Sequence, residues 1–367
     1  MNQLTNRQVG MVISLSIISL KLFIFPSLIS GYSQNDCYIS VMLSLTIEFV
    51  FILLVLWVMK NYPNKSLFEI LQLKFGKWFP RVLSGVLAVF FLGKSLVALK
   101  EVQNFLVQLL FEHITWWKFA LPLLLLILYI LNKSLRTFAR SVQFFYWFII
   151  AGATLTVILP LQEVRFVNLL PFMANGFGPI IKGSFLTTFH FIDFFVLMIL
   201  MGRVKYSDST AKSIIKYTIF TYIFILLYFV VYVGLFGTIV VNEGLLVSDI
   251  PLYSNYPSTN GRLEWLSMIV WSIVLVYQSA LMLICARETI SYTTGIKSNA
   301  WLSVGICAIM GIVLYVAYLN YAGIIKVISS VTFNISLLSF AVILLIFLLI
   351  CTIKRRSNTN EIKKNSE

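Results

Sequence analysis

The residues that could do chemistry in this chain are the few charged side chains inside long apolar segments. Lys21 lies within the apolar run 8–31, and Pro26 follows it. A lysine at mid-bilayer costs roughly 2.5–3.5 kcal/mol, and a proline removes a backbone donor and crowds the carbonyl one turn earlier. Helices interrupted in this way form the binding sites of many membrane transporters. The run therefore indicates either a site at a helix break or an ordinary proline kink with a paired lysine.

A second polar group lies in the run 179–202, where His190 and Asp193 are one helical turn apart. An unpaired carboxylate at this depth would be costly, so Asp193 is the expected partner of Lys21. A membrane histidine is more often a packed hydrogen-bonding residue than a ligand contact.

Acidic and basic residues also occur in the second and third apolar runs. Glu48 lies near the centre of the second run. One face of the third carries Lys94, Glu101, Asn104 and Gln108, with Lys100 beside them. These residues share a face because of their helical spacing. Two interpretations stay open: an aqueous path, or an internal seam in which Lys94 or Lys100 pairs with Glu48 or Glu101.

The eighth apolar run combines aromatic and amide side chains on one face. That face consists of Glu264, Trp271, Gln278 and Met282, with Tyr277 adjacent. An aromatic ring and an amide that face a bundle interior suit a small amphiphilic ligand. Aromatic packing with one hydrogen bond is the alternative.

Composition sets the class of protein. The 367 residues are 59% hydrophobic and only 11% charged, which predicts an all-α polytopic membrane protein. The four scattered cysteines and two histidines predict neither disulfides nor a metal site or cofactor. No motif of a hydrolase, a phosphate-binding loop or a metalloprotease occurs, so we expect no enzyme activity.

Ten spans are expected, and the basic residues orient them. The spans are 8–31, 38–60, 80–111, 116–132, 141–161, 179–202, 213–241, 263–288, 297–319 and 327–353. Of the 28 Lys and Arg residues, 20 fall on one side and five on the other, which predicts that both termini are cytoplasmic. This pattern explains the net charge of +14 without a nucleic-acid partner.

Three segments outside the spans carry further expectations. The segment 66–80 indicates either an amphipathic helix on the cytoplasmic face or a basic loop. The loop 242–261 is the longest external connection. The basic tail 354–367 follows the single transmembrane domain 1–353, and its polar end, 358–367, is expected to be disordered.

The order of these elements resembles the amino acid–polyamine–organocation superfamily, and more closely the endospore germination permease family. The segments that carry the resemblance are LTNRQVG (4–10), LFIFP (22–26), Glu48, 62–84, FFLGKS (90–95), 167–184 and RLEWLSMIVWSI (262–273). They extend over nearly the whole chain, and 62–84 and 167–184 are the most specific.

The resemblance implies a five-plus-five inverted repeat, as in the leucine transporter, and a role as the B subunit of a nutrient germinant receptor. The implied setting is the inner membrane of the spore, with an A subunit and a lipoprotein C subunit as partners. The implied ligand, a small nutrient such as an amino acid, binds between spans one, three, six and eight. The matching positions are Lys21, Leu22, Phe23, Phe91, His190, Asp193, Tyr277 and Gln278.

The chain departs from the family pattern at the break in span one. Many relatives have small residues or glycines there, whereas this chain has Leu20, Lys21 and Leu22. Lys21 could replace a coupling cation, contact an anionic ligand or be neutralised by Asp193. Two other functions stay open: an amino-acid permease that works by alternating access, and a structural subunit whose pocket has lost its ligand.

Overall fold

The computed structural model describes residues 3–23, 25–110, 115–237, 250 and 264–364. For residues 108–110, 264–265 and 354–364 it describes the backbone but not the side chains. Its helices are α1 (Asn6–Ile18), α2 (Phe25–Ser33), α3 (Cys37–Asn61), α4 (Leu67–Phe75), α5 (Trp78–Leu110), α6 (Trp116–Leu131), α7 (Leu135–Ile158), α8 (Phe177–Leu186), α9 (Phe194–Leu200), α10 (Asp208–Phe236), α11 (Glu264–Thr294), α12 (Ala300–Leu319), α13 (Tyr321–Ile328) and α14 (Val331–Lys364).

Within the described residues, seven helical segments are long and apolar enough to cross a membrane. They are Phe25–Asn61, Trp78–Val107, Leu135–Glu163, Asp208–Phe236, Leu266–Thr294, Ala300–Leu319 and Val331–Ile353. The first and sixth predicted spans are each interrupted, and the second half of the first, α2, adjoins α3 within the segment Phe25–Asn61. The fourth, α6, has 16 residues, about 24 Å at 1.5 Å per residue, against a hydrocarbon core of about 30 Å. The protein is therefore an all-helical, polytopic membrane protein.

The first predicted span is a broken helix rather than a kinked one. Helix α1 ends at Ile18, a 3₁₀ turn covers Leu20–Leu22, and α2 begins at Phe25. Pro26 therefore lies in the first turn of α2, where the missing N–H costs no helical hydrogen bond. The proline starts the second half-helix, and Lys21 lies in the turn between the halves.

The sixth predicted span is also interrupted, although it has no glycine or proline between Gly183 and Gly202. Helix α8 ends at Leu186, and α9 begins at Phe194 after a 3₁₀ turn. Side chains satisfy part of the freed backbone. The Thr187 hydroxyl donates to the Gly183 carbonyl at 2.7 Å, and the Phe189 N–H donates to Asn334 Oδ1 at 3.0 Å. Such partners are what buried, non-helical backbone requires.

Helix α1 is the central element of the bundle. Every residue from Gln8 to Ile18 is buried, and α1 packs against α7, α9, α10 and α11. Gly10 allows α1 to approach α10 closely, because a Cβ there would lie 2.4 Å from Tyr217 Cδ2 on α10. A small residue at a helix interface is the usual means of close packing in membranes. The turn that carries Lys21 is thereby held inside the bundle.

The predictions for the three segments outside the predicted spans compare differently with the structure. A helix was one of two interpretations of 66–80, and α4 confirms it, with Ser66 and Glu69 forming a reciprocal N-terminal cap. Helix α14 continues as far as Lys364, and the disorder expected at 358–367 stays a prediction. The predicted loop 242–261 lies outside the described residues, apart from Ile250.

Candidate functional site

Four charged side chains form a cluster in the interior. Lys21, Glu48, Lys94 and Asp193 are each at most 3% exposed. Lys21 Nζ lies 2.5 Å from Asp193 Oδ2 and 3.3 Å from Glu48 Oε2. Lys94 Nζ contacts the other oxygen of the same carboxylate, Asp193 Oδ1. The expected Lys21–Asp193 pair is therefore present, within a larger ion cluster that two lysines and two carboxylates make up.

The cluster is formally neutral and its carboxylates are well supplied with donors. Glu48 Oε1 accepts the backbone N–H of Asp193 at 3.0 Å, and Glu48 Oε2 accepts the Tyr222 hydroxyl at 3.2 Å. Buried charges are tolerated when they are paired and their remaining lone pairs are hydrogen-bonded. Equal numbers of cations and anions, each with a partner, meet that condition here.

Four separate elements position the cluster. Lys21 comes from the turn after α1, and Asp193 from the turn before α9. Glu48 projects from α3 and Lys94 from α5. The cluster therefore joins the two helix interruptions to two continuous spans.

Aromatic rings surround the two ammonium groups. Lys21 Nζ lies 5.2 Å from the centre of the Phe191 ring. Lys94 Nζ lies 5.7 Å from the Phe90 ring and 5.8 Å from the Phe189 ring. These separations are within the range of cation–π attraction, so the rings stabilise the cations and also screen them from lipid.

The polar residues on one face of α5 do not share a common set of partners. Lys94 pairs with Asp193, whereas the seam interpretation, one of the two left open, had named Glu48 or Glu101 as the partner. Two turns further on, Lys100 Nζ donates to Gln103 Oε1 at 2.7 Å, and Glu101 Oε1 accepts the Tyr321 hydroxyl at 2.5 Å. The partners named in the seam interpretation differ from these because the turn before α9 and the start of α13 bring Asp193 and Tyr321 to α5.

A cluster of aromatic side chains packs against the first interruption. The Phe23 ring makes edge contacts with Phe105 and Trp271, at centroid distances of 5.7 and 5.8 Å. Trp271 in turn contacts Tyr228 at 5.7 Å. Leu22 is fully buried beside them. The turn therefore presents its lysine to the ion cluster and its apolar side chains to an aromatic wall.

Two of the predicted site residues carry buried polar atoms with no hydrogen-bond partner among the described residues. These atoms are both ring nitrogens of His190 and both amide atoms of Gln278. The His190 ring packs on Phe25 at 5.0 Å, one turn before Asp193. A buried polar group without a partner costs about 1–3 kcal/mol, so each is a candidate contact for a ligand.

The remaining predicted site residues make apolar contacts. The fully buried Phe91 packs against Phe90 at 5.3 Å. Tyr277 faces α7, where its ring contacts Phe138 at 5.7 Å and Phe145 at 6.2 Å. The structure thus brings Lys21 and Asp193 together but directs the Tyr277 ring to a different neighbour.

Three residues at the site were missed in the sequence. Tyr222 donates to Glu48, Phe191 faces Lys21, and Asn334 caps the second interruption. Asn334 stands out as an amide in the apolar run 327–353, a signal that could have identified it. Tyr222 and Phe191 lie in aromatic-rich spans and carry no such signal.

A polar cavity of about 510 Å³ lies where α9 ends, on the side away from Asp193. Its lining includes Ser66, Glu69, Arg203, Glu288 and Tyr292. Arg203 Nη2 donates to both oxygens of Glu288, at 3.1 and 3.3 Å. Within the described ranges, no three His, Cys, Asp or Glu side chains are grouped closely enough to hold a metal ion.

Comparison with known proteins assigns the family. The sequence model of a family described as "Spore germination protein" matches residues 3–321. The chain belongs to this spore germination protein family. The resemblance inferred from the sequence is therefore confirmed at the level of the family, and the matched range contains the whole ion cluster as well as His190 and Gln278.

One curated member of the spore germination family is similar over part of its length. Spore germination protein YndE of Bacillus subtilis (strain 168) is 20% identical to the chain over 215 residues. That region covers 58% of this chain and 59% of YndE.

Proposed function

We propose that this spore germination family member is the B subunit of a nutrient germinant receptor, with a small ligand of the amino-acid class bound at mid-membrane. The observation that carries the proposal is the contact between two helix interruptions through Lys21 and Asp193, 2.5 Å apart. Paired interrupted helices near the bilayer midplane are the usual origin of ligand sites in transporter-like bundles. The subunit acts as a sensor rather than as an enzyme.

The proposed ligand contacts are Lys21, Leu22, Phe23, Phe91, His190, Asp193, Tyr277 and Gln278. A zwitterionic ligand can exchange partners with the cluster: its carboxylate replaces Asp193 on a lysine, and its ammonium replaces a lysine on Asp193. His190 and Gln278 supply the unused hydrogen-bonding atoms. The Phe23–Trp271 contact supplies an apolar wall.

The proposed architecture has ten spans in a five-plus-five inverted repeat. Helices α1 and α2 together form span one, α8 and α9 form span six, and the short α6 forms span four. Both termini are then cytoplasmic. The proposed partners are the A subunit and the lipoprotein C subunit, and the proposed location is the inner membrane of the spore.

In this mechanism the ligand shifts an equilibrium between two arrangements of the bundle. A ligand moves such an equilibrium only by the difference between its affinities for the two states. In the arrangement described here all four charges are paired with one another, and the ligand competes with these pairs. Partner exchange opens the cluster, and the opened state triggers germination, with ion release as its output.

The test is a germination screen of spores that lack this gene against a panel of amino acids and other nutrients. We expect the response to at least one nutrient to disappear and to return when the wild-type gene is restored. An undiminished response to every nutrient that wild-type spores detect would contradict the receptor assignment.

A second candidate function is an amino-acid permease that works by alternating access. The polar cavity at the end of α9 favours it, because the cavity lies at the opposite end of this helix from Asp193 and includes the Arg203–Glu288 pair in its lining. Uptake of radiolabelled amino acids into vesicles separates the two functions. Sustained concentrative uptake supports the permease, and binding without accumulation supports the sensor.

A further inference from the structure

An apolar cavity of about 620 Å³ lies beside the ion cluster, between α5, α12, α13, α14 and the turn before α9. Its lining includes Val89, Phe90, Gly93, Val316, Val327 and Phe333. The volume is within the range of small-ligand pockets, about 300–1,000 Å³. Asn320 is the one polar side chain among the described lining residues, and its Oδ1 already accepts the Gly323 N–H at 2.9 Å.

The rim of this cavity belongs to the lipid-facing surface. Val89, Val316 and Val327 are 71%, 54% and 59% exposed. Helices α5, α12 and α14 are among the segments long and apolar enough to span the membrane. The exposed apolar rim is therefore continuous with the surface that bilayer lipid covers.

We infer that an acyl chain of a membrane phospholipid occupies this cavity. Its described walls offer a water molecule one polar side chain, that of Asn320, whereas a bound water needs two to four polar partners. An acyl chain fills the space by dispersion contacts alone and enters directly from the bilayer. Gly93 leaves room for it, because a Cβ at that position would meet no atom within 4 Å.

The acyl chain in this cavity packs against the aromatic rings that lie next to the ion cluster. Phe90 and Phe189 form the inner wall, and the same two rings lie over Lys94 Nζ at 5.7 and 5.8 Å. Lys94 in turn contacts Asp193. Lipid in the cavity therefore limits movement of the rings next to the charged site. This binding does not depend on the proposed receptor function.

The test is photolabelling of the full-length protein in nanodiscs whose phosphatidylcholine carries a diazirine at the end of one acyl chain. Mass spectrometry locates the adducts after irradiation. We expect adducts on Phe90 and Phe333. Phe90 is largely buried and Phe333 is partly buried. Lipid at the outer surface therefore reaches these two rings less readily than it reaches an exposed side chain such as Leu125 of α6.

Gly93→Leu fills the cavity and should lower the adduct yield on Phe90 and Phe333 several-fold. Gly305→Leu is the matched control, since Gly305 is a lipid-facing helical glycine with nothing within 4 Å of an added Cβ and does not line the cavity. It should leave those adducts unchanged. If Gly93→Leu fails to fold, Val89→Trp narrows the rim and should have the same effect.

Two results would overturn the inference. One is labelling of Phe90 and Phe333 that is absent, or that stays unchanged in the folded cavity-filling variant. The other is a different occupant. Mass spectrometry of the purified native protein would then detect a bound apolar molecule other than a phospholipid, and this molecule would be absent from the Gly93→Leu variant.

Discussion

At the scale of single residues, the site is a network in which one carboxylate serves two cations. Asp193 contacts both Lys21 and Lys94, whereas Glu48 contacts Lys21 alone among the lysines whose side chains the structure describes. Removing one member of a buried ion pair leaves an uncompensated charge, at a cost of about 3–5 kcal/mol. Loss of Asp193 should therefore be the most disruptive change in the cluster.

Asp193→Asn is expected to lower the midpoint of thermal unfolding strongly, because two lysines then face the single carboxylate of Glu48. The double variant Asp193→Asn/Lys94→Met should recover part of that loss, since it restores neutrality and keeps the 3.3 Å Lys21–Glu48 pair. Unfolding of the purified proteins in nanodiscs measures both. Strictly additive effects of the two substitutions would contradict the shared-carboxylate arrangement.

A substitution at Gln278 should change ligand binding without lowering the stability of the protein. Gln278→Leu removes a buried amide that has no partner among the described residues, so the midpoint of unfolding should be unchanged or higher. The nutrient concentration for half-maximal germination should rise by about tenfold, the equivalent of about 1.4 kcal/mol. The neighbouring Ser279→Ala is the control, because the Ser279 hydroxyl bonds within its own helix, to the Leu275 carbonyl. A less stable Gln278→Leu with a normal response would contradict the proposal.

At the scale of helices, the second interruption has part of its backbone satisfied by a side chain of another helix. That residue is Asn334 of α14. Its Oδ1 accepts the Phe189 N–H, and its Nδ2 donates to the carbonyls of Ile328, at 2.6 Å, and Ser330, at 3.0 Å. One amide thus satisfies the backbone at the break before α9 and at the junction of α13 with α14.

Asn334→Ala should destabilise the protein by at least about 2 kcal/mol, because the Phe189 N–H and the Ile328 carbonyl lose this partner. Hydrogen exchange of the segment 187–193 should also become faster, which locates the effect at the break. Asn299→Ala is the matched control: Asn299 is an exposed cap of α12, and loss of such a cap typically costs about 1 kcal/mol. Equal destabilisation of the two variants, with unchanged exchange, would show that Asn334 does not support the break.

At the scale of the whole molecule, the number of crossings decides the topology. Seven long spans would place the termini on opposite sides of the membrane, whereas ten spans, with α1–α2, α6 and α8–α9 counted, place them on the same side. The excess of basic residues on one side, 20 against five, favours the second arrangement.

Cysteine labelling tests this. The four native cysteines are buried, so single cysteines introduced at Asn2, Ser357 and Phe166 can be labelled selectively in sealed vesicles. We expect Asn2→Cys and Ser357→Cys to react with a membrane-impermeant maleimide from the same side. Phe166→Cys, which replaces a side chain that is 65% exposed, should react from the other side. Labelling of the two terminal positions from opposite sides would exclude ten spans.

The sequence by itself determined the class of the protein, its family and the first elements of its site. Apolar run length and loop charge depend only on composition along the chain, and Lys21 and Asp193 are conspicuous because charges in lipid are costly. Even so, the same pattern did not name Asp193 as a partner of Lys94, and it only weakly indicated the break in span six.

Only the tertiary structure decided which groups meet. Whether Lys94 contacts Asp193 or Glu48 depends on the rotation and depth of α5 against α3 and α9, which spacing within one helix does not specify. At the break before α9, the Phe189 N–H bonds to Asn334, an acceptor 145 positions away along the chain. The cavity beside Lys94 likewise exists only because four helices leave a space between them. These features arise from packing between distant segments, and a one-dimensional pattern carries no record of it.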